Sequence, residues 1–203
     1  MKLMKSMKPL LALVFTLCLA ATAPAQTPDP SPGHRYFGDV KLVDQDGREM
    51  RFYTDLLQGK TVIINVMFTT CTGACPVMSG TVEKLQEHLG DRLGKDVRLL
   101  SISVDPVHDT PARLKEYASR FHARPGWYLL TGSRENVETV LRKLGQWVDD
   151  PSDHQTLFLI GNDRTGLWKK ALAMAPTEEI FPIVDSVVGD VGDVGDMGKK
   201  GRG

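Results

Sequence analysis

Cys71-Thr72-Gly73-Ala74-Cys75-Pro76 places two thiols four residues apart where a helix is about to begin. If the chain is already helical at Cys71, the thiols share one face with Cβ atoms about 5–6 Å apart. A disulfide needs Cβ atoms nearer about 3.8 Å. A metal ion between the sulfurs spans the wider gap more easily, although Gly73 can adopt dihedrals that keep a disulfide open. Helix N-terminal amides favour a thiolate over a thiol, and Pro76 fits a first turn, where its missing N–H costs nothing. Thiolates are soft ligands that select Cu(I) or zinc, whereas magnesium and calcium take oxygen.

Two sulfurs do not complete a site, and the chain has five histidines. His34 falls in the proline-rich linker; His88, at a helix end, and His108, in a loop within reach of the same edge, read as exposed; His122, after Phe121 at a helix end, reads as a cap. His154 stands just before the apolar run 157–160, where composition makes a structural role equally good. Its place opposite the first strand–helix junction makes it the best third ligand. Met67, Met78 and Met174 could be soft ligands, but core packing is the better reading. Trp127, Trp147 and Trp168 read as core or edge aromatics.

The elements that must position these residues alternate between strand and helix. Residues 40–43 and 49–52 flank Asp44-Gln45-Asp46-Gly47, an N-terminal hairpin with Asp-Gly turn chemistry. The apolar runs 61–68 and 97–104 read as buried central strands. A helix is expected over 75–89. Thr110 caps another, with Pro111 at its first position, and Ser133 caps a third that Gly145 closes. A short strand at 127–130, a hairpin of 157–160 with 167–172, and a helix over 177–188 interrupted by Pro182 complete the order. This is α/β: a central mixed sheet flanked by helices, with Cys71 and Cys75 at the carboxyl end of a central strand, where such folds place chemistry.

Around this domain, 38–188, lie three segments of other character. Lys2, Lys5 and Lys8 precede an uncharged apolar run at 10–23, and Ala23-Pro24-Ala25 supplies a small-x-small site. Residues 1–25 therefore read as a signal peptide, the run being shorter than the roughly 20 residues that span a bilayer. An uncleaved anchor is the alternative, and membrane association is expected only in that case. Cleavage would leave 22 basic residues (25 less three lysines) against 25 acidic ones, and would remove Cys18, leaving the one thiol pair. Residues 26–37 read as a Pro-rich linker. Residues 189–203, with Gly-Asp-Val, Gly-Asp-Val, Gly-Asp-Met and then Lys199, Lys200 and Arg202, read as a disordered, solubilising tail. With a hydrophobic fraction of 41% and zero formal net charge, the chain is globular in composition and shows no basic field for nucleic acid.

The segment Phe68-Thr69-Thr70-Cys71-Thr72-Gly73-Ala74-Cys75-Pro76 resembles the cysteine motif of the Sco/SenC family. So do Ser103-Val104-Asp105-Pro106 with Asp109-Thr110-Pro111, and Asp153-His154 before an apolar strand. Thr72, Ala74 and Thr69 stand where that family usually has proline, an acid and tyrosine. The resemblance implies a thioredoxin-like fold and a site for one copper ion, as Cu(I) or Cu(II), held by Cys71, Cys75 and His154. It gives Asp105 a supporting role. It also implies delivery of copper to the dinuclear copper site of cytochrome c oxidase, or reduction of that site's cysteines. The expected partners are the copper-bearing oxidase subunit or another cuproprotein, with a thiol reductant if the cysteines cycle; the expected location is the periplasm or the extracytoplasmic face of the membrane. The alternative is a periplasmic thiol–disulfide oxidoreductase with Cys71 and Cys75 as its redox pair, although such motifs of this fold typically have two intervening residues and this has three.

Overall fold

Strand β3 (Thr61–Met67) is buried along its whole length, and its side chains alternate between two separate cores. Ile63 and Met67 face one cluster, and Val62, Ile64 and Val66 face the other. That period of two on a strand covered on both faces explains why the run is apolar on both faces, with Oδ1 of buried Asn65 accepting from Ser101 Oγ of the neighbouring strand. In the computed structural model, which describes residues 31–192, β3 is central to a seven-stranded sheet of order β2-β1-β5-β4-β3-β6-β7. The other strands are β1 (Lys41–Asp44), β2 (Glu49–Arg51), β4 (Val97–Ser103), β5 (Trp127–Thr131), β6 (Leu157–Asn162) and β7 (Leu167–Leu172). β3, β4 and β5 run parallel, while β6, β7 and the β1–β2 hairpin are antiparallel to their neighbours. The sheet is mixed, as expected.

Helices α2 (Ala74–Leu89), α3 (Pro111–Arg120) and α5 (Thr177–Val188) bury their apolar faces in the first cluster, and α4 (Arg134–Leu144) in the second. Local signals set their ends. The Thr110 side chain accepts from Arg113 N, the Ser133 side chain accepts from Asn136 N, and Gly145 closes α4 in the left-handed region at φ 67°. Pro182 does not interrupt α5. It sits on the exposed side, where water can take up the carbonyl it leaves without a partner.

The linker expected over 26–37 is corrected in its second half. Helix α1 (Pro32–Phe37) forms there, with Ser31 Oγ accepting from His34 N and Pro32 at the first position. Its anchor is tertiary: Phe37 is buried, with ring contacts to Phe52 and Trp168. Phe52–Leu57, not anticipated as helical, makes a π-helical turn that buries Phe52, Tyr53, Leu56 and Leu57 against the same cluster. The segment read as a signal peptide, residues 26–30 and residues 193–203 lie outside the described residues.

Candidate metal centre

The loop after β3 folds back on itself, with Cys71 N donating to the Phe68 carbonyl at 3.2 Å. The helix begins only at Ala74, so Cys71 lies before it and not on its face. Its sulfur takes the place of a capping oxygen, accepting from Cys75 N at 3.4 Å. Burial opposes ionisation of Cys71, but the Cys75 thiol and the amides of Cys75, Gly73 and Ala74 outweigh it and hold this thiol below its ordinary value. Cys75 is the reverse case. Fully buried beside a second sulfur, its thiol is pushed up to about 12. Neither cysteine is in a disulfide.

His154 arrives from the other side of the sheet edge. Asp150 caps the 3₁₀ turn Pro151–Asp153, and His154 follows it in extended conformation. Its ring stands edge-on to Phe68, centroids 5.7 Å apart. Nδ1 lies 3.3 Å from the Gln155 carbonyl. A carbonyl only accepts, so this contact assigns the proton to Nδ1 and turns the Nε2 lone pair towards Cys75 Sγ, 3.3 Å away. The protonated Cys75 thiol is the matching donor.

The two sulfurs and the imidazole nitrogen all lie within 4.8 Å of one another, and among the described residues no other group of three or more Cys, His, Asp or Glu does this. Metal–sulfur and metal–nitrogen bonds of about 2.3 and 2.0 Å place the donors of a trigonal site within roughly 4 Å of one another. Drawing these atoms together by under an ångström suffices. A donor set of two thiolates and one imidazole fits a soft ion such as Cu(I).

The acid that supports this loop is Asp109, not Asp105 as the resemblance suggested. Asp105 turns its carboxylate to His108 Nδ1 at 2.8 Å. Asp109, buried in the same loop, accepts from Thr69 N at 3.1 Å, from the Thr69 hydroxyl, and from Ser103 Oγ at 2.6 Å. Tyr117 was also missed. Its hydroxyl meets Ser79 Oγ at 3.0 Å, and burial pushes it up to about 12, so it stays neutral behind the cysteines. The remaining histidines each pair with a carboxylate: His34 with Asp39, His88 with Asp185, His108 with Asp105, and His122, just past the end of α3, with Glu83. Met67 and Met78 are core residues, as is Trp127; Met174 is half exposed.

A direct consequence is selective alkylation. Under reducing, metal-free conditions at neutral pH, iodoacetamide is expected to label Cys71 at least tenfold faster than Cys75, because only the thiolate attacks. Peptide mass mapping of a time course checks this. Equal labelling of both thiols would contradict the environments described above.

Fold and site together define a class: a thioredoxin-like domain presenting two thiols and an imidazole at the carboxyl end of its central strands. The chain belongs to the SCO1/SenC family, whose profile matches residues 28–184. It is 31% identical to the SCO1 protein homolog of Bacillus subtilis over 169 residues, 79% of this chain and 85% of that one. It spans about half the length of other relatives, such as the SCO2-like protein of Rickettsia conorii, with 49% of that protein covered at 37% identity. Among solved structures, yeast Sco1 with copper bound superposes at a TM-score of 0.61 with 28% identity, covering 76% of this chain and 93% of that one. BsSco, described as having a disulfide switch and as a member of the Sco family of cytochrome c oxidase assembly proteins, gives 0.61 and 28%, with 73% and 91% covered. Among the described residues no helix is long and apolar enough to cross a membrane.

Proposed function

We propose that this chain carries one copper ion between Cys71, Cys75 and His154 and hands it to a cuproprotein, the copper-bearing subunit of cytochrome c oxidase being the foremost acceptor. The convergence of two sulfurs and Nε2 within 4.8 Å, from segments about eighty residues apart, carries this reading. Membership of a family that includes copper-bound and oxidase-assembly proteins supports it. Transfer is ligand exchange: the acceptor's thiolates displace Cys71, the more accessible ligand, before Cys75 and His154 release. The apolar run at 10–23 and the small-x-small site support export to the periplasm.

Anaerobic titration of the reduced chain is expected to end at one Cu(I) per chain, with proton release from Cys75, and oxidised chain is expected to take none, since a disulfide offers no thiolate. Binding by the oxidised chain equal to that of the reduced would defeat the proposal.

The opposed environments of the two thiols favour a second activity. The Cys71 thiolate would attack a target disulfide and form a mixed disulfide; Cys75, losing its proton, would then attack Cys71 Sγ and release the target as a dithiol. Two electrons pass to the target, the pair is left as a disulfide, and an external thiol reductant resets it. This step would ready an acceptor's cysteines for copper.

A further inference from the structure

A small cleft opens between the residues just before Cys71 and helix α3. Its walls are Thr69 and Thr70 on the loop and Arg113, Glu116, Tyr117 and Arg120 on the helix. Its volume is about 180 Å³, below the range of about 300–1,000 Å³ that holds drug-sized ligands. That is close to the liquid volume of about six waters. A carboxylate on a chain of two or three carbons fits such a space.

Most polar groups of the cleft are engaged. Thr69 N and the Thr69 hydroxyl donate to Asp109, whose carboxylate also accepts from Ser103 Oγ. The Tyr117 hydroxyl meets Ser79 Oγ, and Arg120 pairs with Glu116 at 2.5 Å. Two groups are not. The exposed Arg113 guanidinium makes one long hydrogen bond, from Nη1 to the His108 carbonyl at 3.3 Å, and no ion pair among the described residues. Thr70, also exposed, makes no hydrogen bond among the described residues, so its N–H and hydroxyl are both unused donors. A guanidinium fork beside an amide and a hydroxyl is a donor set for a carboxylate. The charges agree: Arg113 and Arg120 against Glu116 leave one net positive charge on the walls.

The place of the cleft in the chain says what the carboxylate should carry. Thr70 and Cys71 are consecutive, with Cα atoms about 3.8 Å apart. A short chain from an anion held at Thr70 can therefore reach Cys71. Of the two cysteines only Cys71 meets solvent, Cys75 being fully buried.

We infer that this cleft seats the carboxylate of a small anionic thiol, the reductant that resets the Cys71–Cys75 pair. The inference rests on the redox activity proposed above and names the class of reductant it uses. In the oxidised chain the small thiolate attacks Cys71 Sγ and the Cys71–Cys75 bond breaks. Cys75 Sγ leaves with the electron pair and takes up a proton, while a mixed disulfide joins Cys71 to the small thiol. A second small thiolate attacks the first one's sulfur, forming a free disulfide and releasing Cys71 as a thiolate. Two small thiols are oxidised, and the pair gains two electrons. Arg113 and Thr70 only hold the carboxylate.

The test reduces the oxidised full chain with 3-mercaptopropionate, 2-mercaptoethanol or cysteamine, an anion, a neutral molecule and a cation of similar size. Acid quenching and mass mapping give rates per thiolate, adjusted for thiol basicity. At low salt mercaptopropionate is expected to react about fivefold faster than mercaptoethanol, the upper end of what one exposed ion pair supplies. Cysteamine should be slower than either, and added salt should shrink the differences. Arg113→Gln should erase the advantage while leaving the mercaptoethanol rate unchanged, and propionate, which lacks the thiol, should slow mercaptopropionate alone. Lys115→Gln removes an equal charge from α3 outside the cleft, where Lys115 pairs with Asp46, and should change nothing. Equal wild-type rates for the three thiols would overturn the inference, as would a preference that survives Arg113→Gln. So would an equal loss in Lys115→Gln, which would make the general field of the helix the cause. Reduction by none of the three would overturn it together with the redox activity on which it rests.

Discussion

Cys75→Ser is expected to lower the affinity of the reduced chain for Cu(I) by more than about 100-fold, beyond the 10–100-fold that loss of a ligand's outer partner costs. A hydroxyl is a hard donor that keeps its proton, so the site would fall to one thiolate and one imidazole. The fold should tolerate the change. Cys75 is fully buried among Met78, Phe158 and their neighbours, serine is nearly its size, and a serine hydroxyl can still donate to His154 Nε2. Exchanging a thiol for a satisfied hydroxyl costs about 1–2 kcal/mol, or roughly 2–8 °C in Tm for a domain of this size. The pH dependence separates this from a general loss of structure. In the wild type, copper must displace the proton that the raised Cys75 holds at neutral pH, so affinity should climb about tenfold per pH unit from 7 to 9. Lower pH favours the proton, higher pH the metal. In Cys75→Ser that slope should fall to what the lowered Cys71 thiol alone contributes. Anaerobic competition against a chromophoric Cu(I) chelator measures both quantities. Wild-type affinity within tenfold, or an unchanged slope, would remove Cys75 from the site.

How much of this was legible in the chain depends on how local each determinant is. Thr110 and Ser133 fix helix starts through side-chain oxygens that accept amides three residues on, and Pro111 fixes a start and Gly145 an end through their dihedrals, so α3 and α4 appear where their residues place them. The largely apolar runs of β3 and β4 likewise announce strands covered on both faces. Helix α1 was hidden because it opens on Pro32 at the end of a proline-rich stretch; what stabilises it is Phe37 against Phe52 and Trp168, contacts that no local pattern contains. The approach of His154 to Cys75 is also non-local. It follows from the antiparallel register of β6 on β3, Ile64 opposite Leu159, which brings the start of β6 beside the end of β3. Position in the order of elements pointed to His154, whereas residue type did not. Asp105 and Asp109 were harder still. They share one loop, and only the inward turn at Asp109, towards Thr69 and Ser103, distinguishes the supporting acid from the exposed side's ion pair.

Asp109→Ala should therefore destabilise the protein by about 2–4 kcal/mol, since a buried donor left without its acceptor costs about 1–3 kcal/mol and the two hydroxyls can partly find other partners. Three donors lose their acceptor at once: Thr69 N, the Thr69 hydroxyl and Ser103 Oγ. Ser103 ends β4, and Thr69 stands two residues before Cys71, so this carboxylate ties the ligand loop to the neighbouring strand. With it gone, the loop can leave the geometry that brings Cys71 Sγ to the Cys75 amide, and copper affinity should fall by about 10–100-fold, as for an outer-shell partner. Asp109→Asn distinguishes charge from position. Its carbonyl can replace one accepting oxygen, while its amide group points a donor at donors, so about half the destabilisation should remain. Urea unfolding of the metal-free reduced chain gives the stability term, and chelator competition gives the affinity. The corresponding change at Asp105 provides the contrast, because its partner His108 is mostly exposed and such ion pairs contribute only about 0–1 kcal/mol. If Asp105→Ala and Asp109→Ala weaken copper binding equally, the loop is not held by Asp109. If only Asp109→Ala does so, the acid that anchors the cysteine loop is the one buried beneath it.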